Sequence, residues 1–162
     1  MNQLTLSDFE KSFGTEKETF SHKTITLIEN GHFEFQEIMA EDYKTLIFNI
    51  IRRIDEDNQV VGSDSRKEVW EKGWQENLDD FKFTNFNMDC LIPKFIRKNK
   101  SISLNQTYIR PVHPEFELNF VKVYHRWFLE NYFHPFDNIY EFGCGTGFNL
   151  VVASEIFPNK NL

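Results

Sequence analysis

Apolar residues recur at steps of three and four over two segments, which is the spacing of a helix with one buried face. In the first segment, about Ala40 to Ile54, the apolar positions are Tyr43, Leu46, Ile47, Ile50, Ile51 and Ile54. In the second, Ser65 and Glu68 form a capping-box signature at the start of a predicted helix. Its stripe is Trp70, Trp74, Leu78 and Phe81. Two tryptophans one turn apart could stack on a ligand, but packing in a core is the favoured interpretation.

Two other patterns predict a hairpin and a long aromatic helix. β-prone runs within residues 23–38 flank Asn30-Gly31, a dipeptide suited to a type I′ turn, so a β-hairpin is expected there. An aromatic stripe predicts a helix from about Pro114 to Phe133, which His134-Pro135 then stops. The remaining predictions are a linker over 55–64, a short helix leading into a loop over 86–100, and a strand-like segment over 101–111.

Length and composition alone predict a globular chain of one domain. With 162 residues, 40% hydrophobic and 16% aromatic, the chain can bury a core. The net charge of −7 argues against a nucleic-acid binder, which would carry a basic face. A local basic cluster consists of Lys94, Arg97, Lys98 and Lys100, followed by Arg110. An ordinary solvated face is the favoured interpretation of this cluster, with anion binding as the alternative.

Neither a membrane segment nor a metal site is expected. No apolar run approaches the ~20 residues that span a bilayer, and the N-terminus lacks a signal-peptide layout, so the predicted location is cytoplasmic. Cys90 and Cys144 form no CxxC pair, so neither a disulfide framework nor a zinc site is indicated. His125 and His134 lack metal-ligand spacing and are expected to be structural or exposed.

The closing segment carries the motif with the clearest chemistry. Residues 138–142 are predicted to form a strand, three glycines follow within 143–147, and 149–157 are predicted to be helical. Glycine permits the φ values of a tight strand-to-helix turn and a close approach of the backbone to a ligand. Such a turn directs free N–H groups and the helix dipole at an anionic or carboxylate group. A nucleotide-binding or purely structural α/β unit is the alternative.

These residues resemble motif I of the class I S-adenosylmethionine-dependent methyltransferases. The motif reads Glu141-Phe142-Gly143-Cys144-Gly145-Thr146-Gly147. The resemblance implies an α/β, Rossmann-like fold and S-adenosylmethionine as cofactor. It also implies that Glu141 lies near the amino group of the cofactor and that the glycines let the loop backbone approach the cofactor closely. More loosely, residues 70–136 resemble the helical extension that some bacterial members place before the motif. An NAD-dependent oxidoreductase is disfavoured, since Phe148 occupies the third glycine position of its fingerprint.

A methyltransferase of this class continues into further strands, and its second strand ends in an acid that binds the ribose. Leu162 lies where that strand would begin, so the chain is expected to be the N-terminal part of a methyltransferase, inactive alone, from a longer protein or a truncated gene product. The predicted regions are a hairpin-and-helix region over 1–63, a helical, aromatic-rich region over 64–135, and the first βα unit of a truncated Rossmann-like domain over 136–162.

Three residues before the long helix are further candidates, in a loop that could reach over the cofactor. Tyr108 is predicted to contact the cofactor, and Arg110 and His113 the unknown methyl acceptor; for each, an ordinary structural or surface role is the favoured alternative. The alternative function is a non-enzymatic interaction module or degenerate methyltransferase fragment. It would dock on a partner, or associate with a second copy, through the C-terminal βα unit.

Overall fold

A computed structural model describes residues 1–60, 64–91 and 101–162 and divides the chain into two compact units. The sheet unit comprises Met1–Glu37 and Arg97–Leu162, and the inserted unit comprises Ile38–Ile96. The described residues contain six α-helices and a four-stranded antiparallel sheet, so the chain has a mixed α/β fold. Within those residues, no helix has both the length and the apolar character that crossing a membrane requires.

The sheet is built from short strands brought together across most of the chain. The strands are β1 (Asn2–Gln3), β2 (Glu34–Glu37), β3 (Ile102–Leu104) and β4 (Thr107–Pro111). Their order is β1-β2-β4-β3, and every neighbouring pair is antiparallel. In the register, Phe35 lies opposite both Asn2 and Pro111. The central pairing of β2 with β4 therefore joins the chain segments on either side of the inserted unit.

The hairpin predicted over residues 23–38 is wrong in its first half. His22–Asn30 form a helix, α2, and only Glu34–Glu37 form a strand. The Ser21 side chain accepts a hydrogen bond from the Thr24 N–H at 3.1 Å, which caps the helix. Thr24 and Ile28 are buried one turn apart. The cap and this buried face outweigh the β-propensity of threonine and isoleucine, which is a weak, context-dependent preference.

A two-residue hairpin is instead formed by β3 and β4, in the segment predicted to be strand-like. Asn105 and Gln106 join the strands with φ values of +48° and +68°, as a type I′ turn requires. The Asn105 side chain accepts from the Ser12 hydroxyl at 2.8 Å and donates to the Asp8 carbonyl at 3.2 Å. Both partners lie in helix α1 (Leu6–Phe13), so the turn is anchored by tertiary contacts.

The main core packs against helix α5 (Phe116–Tyr132), which confirms the predicted aromatic helix. Helix α5 begins two residues after Pro114 and ends before His134-Pro135. Phenylalanine rings contact one another throughout this core: the ring of Phe9 lies 5.1 Å from those of Phe33 and Phe120. The buried members of the cluster are Leu4, Phe9, Phe20, Ile28, Phe33, Ile109, Phe116, Val123 and Trp127.

The inserted unit contains the other two predicted helices, α3 (Tyr43–Val60) and α4 (Asp64–Phe83). The linker expected over 55–64 is wrong as far as residue 60, because α3 continues through it. The core packing expected for the tryptophan stripe is wrong for Trp70 and Leu78, whose exposed fractions are 42% and 44%. Of the segment 86–100, Met88–Leu91 form a 3-10 turn. The basic cluster Lys94, Arg97, Lys98 and Lys100 lies outside the described residues.

Candidate functional site

The glycine-rich segment precedes helix α6 (Phe148–Ile156), which confirms the predicted C-terminal helix. Gly143, Gly145 and Gly147 have φ values of +68°, +56° and +77°. All three therefore adopt the left-handed region that side chains with a Cβ rarely occupy. A Cβ added at Gly143 or Gly147 would meet no atom within 4 Å, so backbone conformation, and not crowding, requires glycine at these two positions.

The strand predicted over residues 138–142 is wrong: pairing is confined to one parallel bridge between Asn138 and Asn161. The parallel Rossmann sheet is likewise not formed by the described residues, whose strands all pair antiparallel. The physical reason is that a buried parallel strand needs neighbours for its backbone groups and cover for its faces. Here Ile139 is buried, whereas Tyr140 and Phe142 are 78% and 98% exposed.

Glu141, the acid at the start of the motif, has two oxygens in different environments. Oε1 accepts a hydrogen bond from the side-chain amide of Asn149, in the first turn of α6. Oε2 is buried and has no hydrogen-bond donor within residues 1–60, 64–91 and 101–162. Leaving a buried acceptor unsatisfied costs about 1–3 kcal/mol, and more when the group is charged. The arrangement is therefore suited to a ligand that brings an N–H or O–H donor to Oε2.

A pocket of about 270 Å³ opens beside Glu141. It is bounded by α5, by residues 139–141 and by α6, and its lining is mainly aromatic and aliphatic with a few polar groups. The lining residues are Tyr124, His125, Phe128, Leu129, Phe133, Ile139, Tyr140, Glu141, Asn149, Leu150 and Ala153. Ligand pockets are typically about 300–1,000 Å³, so this one suits one end of a cofactor-sized molecule.

The walls of the pocket are held by a second apolar cluster and by charged hydrogen bonds. Leu129, Ile139, Ala153 and Phe157 form the buried part of this cluster. The Arg126 guanidinium on α5 lies 2.9 Å from the Glu130 carboxylate and 3.2 Å from that of Glu155 on α6. These contacts fix α6, and with it Asn149, against α5.

The C-terminal end of α5 is held by Lys160. Its ammonium donates to the carbonyls of Phe133 at 3.0 Å and His134 at 2.7 Å, and also to that of Phe136. It lies 4.7 Å from the centre of the Phe157 ring as well. A cation at the carbonyl end of a helix is favourable because of the helix dipole. The chain on both sides of the glycine loop is thus attached to the same helix.

The three upstream candidates lie in and beside the antiparallel sheet. Tyr108 and Arg110 are part of β4, opposite Ser103 and Gln36, so the loop expected there is a strand as far as Pro111. His113 follows β4 and contacts two polar side chains: its Nε2 lies 3.4 Å from Oε2 of Glu34, and its ring centre lies 4.7 Å from that of His32. None of the three candidates lines the pocket beside Glu141.

Sequence reasoning missed Asn149 and the pocket-lining face of α5. Asn149 lies eight residues after Glu141, at the position where a first-turn side chain can reach back to the preceding segment. His125, taken as structural or exposed, lines the pocket. His134 packs its ring edge-on against Phe157 at 5.0 Å. Cys90 and Cys144 are both free thiols.

Comparisons of the chain with protein-family models, with curated proteins and with solved structures give no match. Glu141, the glycine loop and α6 are therefore the features of the molecule that indicate a function.

Proposed function

We propose that this chain contributes the methionine-binding part of an S-adenosylmethionine-dependent methyltransferase. The observation that carries the proposal is Oε2 of Glu141, which is buried and has no donor among the described residues. Glu141 lines the pocket and directly precedes the turn of three left-handed glycines. The ammonium group of the cofactor's methionine end would donate to this oxygen. Asn149 would hold the other oxygen and so keep the carboxylate in place.

The charges at the methionine end match the two sides of the turn. Its ammonium requires acceptors, which Glu141 provides, and its carboxylate requires donors. The first-turn amides of α6 have no acceptor within the helix, and the helix dipole adds partial positive charge at this end. The left-handed glycines leave open space beside the loop, since a Cβ at Gly143 or Gly147 would contact nothing. A ligand can therefore approach the backbone closely.

The connection around α6 also supports a Rossmann-like unit. Asn138 and Asn161, on either side of α6, run parallel where they pair. In a βαβ unit, two parallel strands flank a helix in this order, and the ligand binds at the carboxyl ends of the strands. In the family resembled, the ribose and adenine contacts come from strands after this helix. The pocket volume agrees with a site for the methionine end alone.

The catalytic contribution of these residues is to bind and align. When bound, the cofactor supplies an activated methyl group. Glu141, the loop and α6 would hold its methionine end in a fixed orientation, and alignment accounts for much of the acceleration of such displacements. Tyr108 remains a predicted cofactor contact, and Arg110 and His113 remain predicted contacts of the methyl acceptor.

Nuclear magnetic resonance titration with the demethylated cofactor tests the proposal on this chain. We expect amide shifts at residues 141–150 at millimolar ligand, because only one end of the cofactor is bound. Glu141→Gln and Gly145→Val should abolish them. Glu115→Gln, which changes an exposed acid at the start of α5, should leave them unchanged. Unaltered binding by Gly145→Val, or no shift in the wild type, would contradict the proposal.

A second candidate function, association between copies, is favoured by the two exposed aromatic rings before the glycine loop. Tyr140 and Phe142 are 78% and 98% exposed, in a segment of β-favouring residues without strand partners. Beyond the bridge of Asn138 with Asn161, the described residues offer this segment no strand partner, and its free edge can pair with another chain. Sedimentation velocity over a concentration series should show a dimer that Tyr140→Ser/Phe142→Ser removes. A monomer at all concentrations would exclude this candidate.

A further inference from the structure

We propose that His32, Glu34 and His113 form a binding site for a divalent transition-metal ion. The candidate ligand atoms of these residues, two imidazole nitrogens and a carboxylate oxygen, all lie within 4.8 Å of one another. Two histidines and a carboxylate with further positions open are a donor set typical of Zn²⁺ and of non-haem Fe²⁺. The proposal involves none of the residues around Glu141 and shares only His113, a predicted contact of the methyl acceptor, with the proposed methyltransferase function.

The backbone that carries the first two ligands is held by a buried ring. Phe33, between His32 and Glu34, is fully buried and packs edge-on against Phe9 and Phe116. Because side chains alternate along an extended segment, burial of Phe33 turns both neighbours to the opposite side. His32 and Glu34 are thus presented together, away from the core.

The third ligand is brought to them by the sheet. The N–H of Val112 donates to the carbonyl of Glu34 at 2.9 Å, which places the residue after Val112 beside the start of β2. The carbonyl of His113 in turn accepts from the N–H of Phe116, itself buried, at 3.2 Å. Buried phenylalanines therefore anchor the chain on both sides of the cluster, and such support preorganises a metal site.

The electrostatics of the cluster also favour a cation. Oε2 of Glu34 is buried and forms no hydrogen bond with any residue that the structure describes, although Nε2 of His113 lies 3.4 Å away. The rings of His32 and His113 are tilted by 35° to each other with centres 4.7 Å apart, so both imidazoles lie on the same side of the sheet edge as Oε2 of Glu34. A metal ion would satisfy the carboxylate oxygen and would bind the imidazoles in their neutral form.

The site is accessible and needs little rearrangement. Zinc–ligand distances of about 2.0–2.2 Å place tetrahedral ligand atoms roughly 3.4 Å apart. His32 is exposed, so its side chain can rotate to close the gap, and the ion can enter from solvent. Three protein ligands leave at least one coordination position for water. Mg²⁺ is disfavoured, since it prefers oxygen ligands.

Calorimetric titration of the chelator-treated chain with Zn²⁺ tests the site. We expect one ion per chain and no binding of Mg²⁺. Loss of an outer-shell partner already costs about 10–100-fold in metal affinity, so removal of a direct ligand should cost at least ~100-fold. The variants are His32→Asn, Glu34→Gln and His113→Asn. The matched control is His22→Asn, an exposed histidine at the start of α2, which should bind as the wild type does.

Cobalt substitution provides a second measurement that does not depend on the variants folding. Co²⁺ bound to the wild type should give the visible absorption bands of a low-coordinate site with nitrogen and oxygen ligands. Added Zn²⁺ should displace the Co²⁺ and remove these bands. Far-ultraviolet circular dichroism identifies any variant that is unfolded. The proposal is overturned if the wild type takes up no stoichiometric Zn²⁺, if the three folded variants bind as tightly as the wild type, or if His22→Asn weakens binding equally.

Discussion

Asn161 pairs in parallel with Asn138 across helix α6. The N–H of Ile139 donates to the Asn161 carbonyl at 2.8 Å, and the N–H of Asn161 donates to the Asp137 carbonyl at 3.0 Å. The side-chain amide of Asn161 also donates to Oδ1 of Asn138 at 2.8 Å. Parallel pairing requires a crossover, which α6 supplies. The C-terminal segment therefore closes around α6 through a single parallel bridge.

Asn161→Pro should open this bridge, because proline has no N–H to donate to Asp137. Amide hydrogen exchange at Ile139 should then be roughly tenfold faster, corresponding to about 1.4 kcal/mol of lost local protection. Asn161→Ala is the control, since it removes only the side-chain bond and keeps the backbone pair. Equal exchange at Ile139 in Asn161→Pro and in the wild type would contradict the assigned pairing.

Arg126→Met should destabilise the sheet unit strongly. Its side chain is 9% exposed, and it pairs with Glu130, which is 14% exposed, and with Glu155, which is 56% exposed. Removing the arginine leaves the Glu130 carboxylate nearly buried without a counter-charge, at a cost of about 3 kcal/mol. Glu155→Gln should cost less than ~1 kcal/mol, because solvent screens that pair. Urea denaturation measures the loss in free energy of unfolding for both variants. Equal losses would contradict the larger contribution assigned to Arg126.

Gly31→Ala should be destabilising for a steric reason. A Cβ at this position would lie 2.1 Å from Cε2 of Phe33, whose ring is fully buried. Overpacking of this kind costs about 1–3 kcal/mol in the free energy of unfolding. Phe33→Leu should reduce the penalty, so the two changes should be non-additive in a double-mutant cycle. Strict additivity would show that the ring does not limit this position.

Gln106→Gly should stabilise the β3–β4 hairpin by about 0.5–1 kcal/mol, because glycine adopts the required φ of +68° without strain. Asn105→Gly should instead destabilise the protein. It removes the hydrogen bonds that join the turn to Ser12 and Asp8 in α1. Thermal unfolding of the two variants should therefore shift in opposite directions, and shifts of the same sign would contradict the separate roles of the two residues.

Local pattern predicted helices better than strands. The periodic segments over α3, α4, α5 and α6 all formed helices, since an amphipathic stripe is a property of contiguous residues. The hairpin at Asn30-Gly31 failed because burial of Thr24 and Ile28 and the Ser21 cap stabilise α2. The true hairpin turn lacks the Asn-Gly pair, and contacts of Asn105 with α1 support it instead.

In the candidate sites too, local sequence predicted the features within one segment but not the contacts between distant segments. The glycine spacing predicts a tight turn before a helix with φ values that glycine permits, and the positive φ values at Gly143, Gly145 and Gly147 agree. Nothing in the sequence joined Glu141 to a pocket formed with α5. Nor did it join His113 to His32 and Glu34, since these residues are far apart in the chain and meet through the antiparallel pairing of β2 with β4.

The sequence by itself determined helices α3 to α6, the glycine turn and the acid that precedes it, because these depend on φ preferences and on side-chain spacing within one segment. Tertiary structure decided which strands pair, which oxygen of Glu141 lacks a donor, and which histidines lie beside Glu34. Those outcomes depend on backbone hydrogen bonds and apolar burial between distant segments. The free energy of such contacts is gained only when the segments come together.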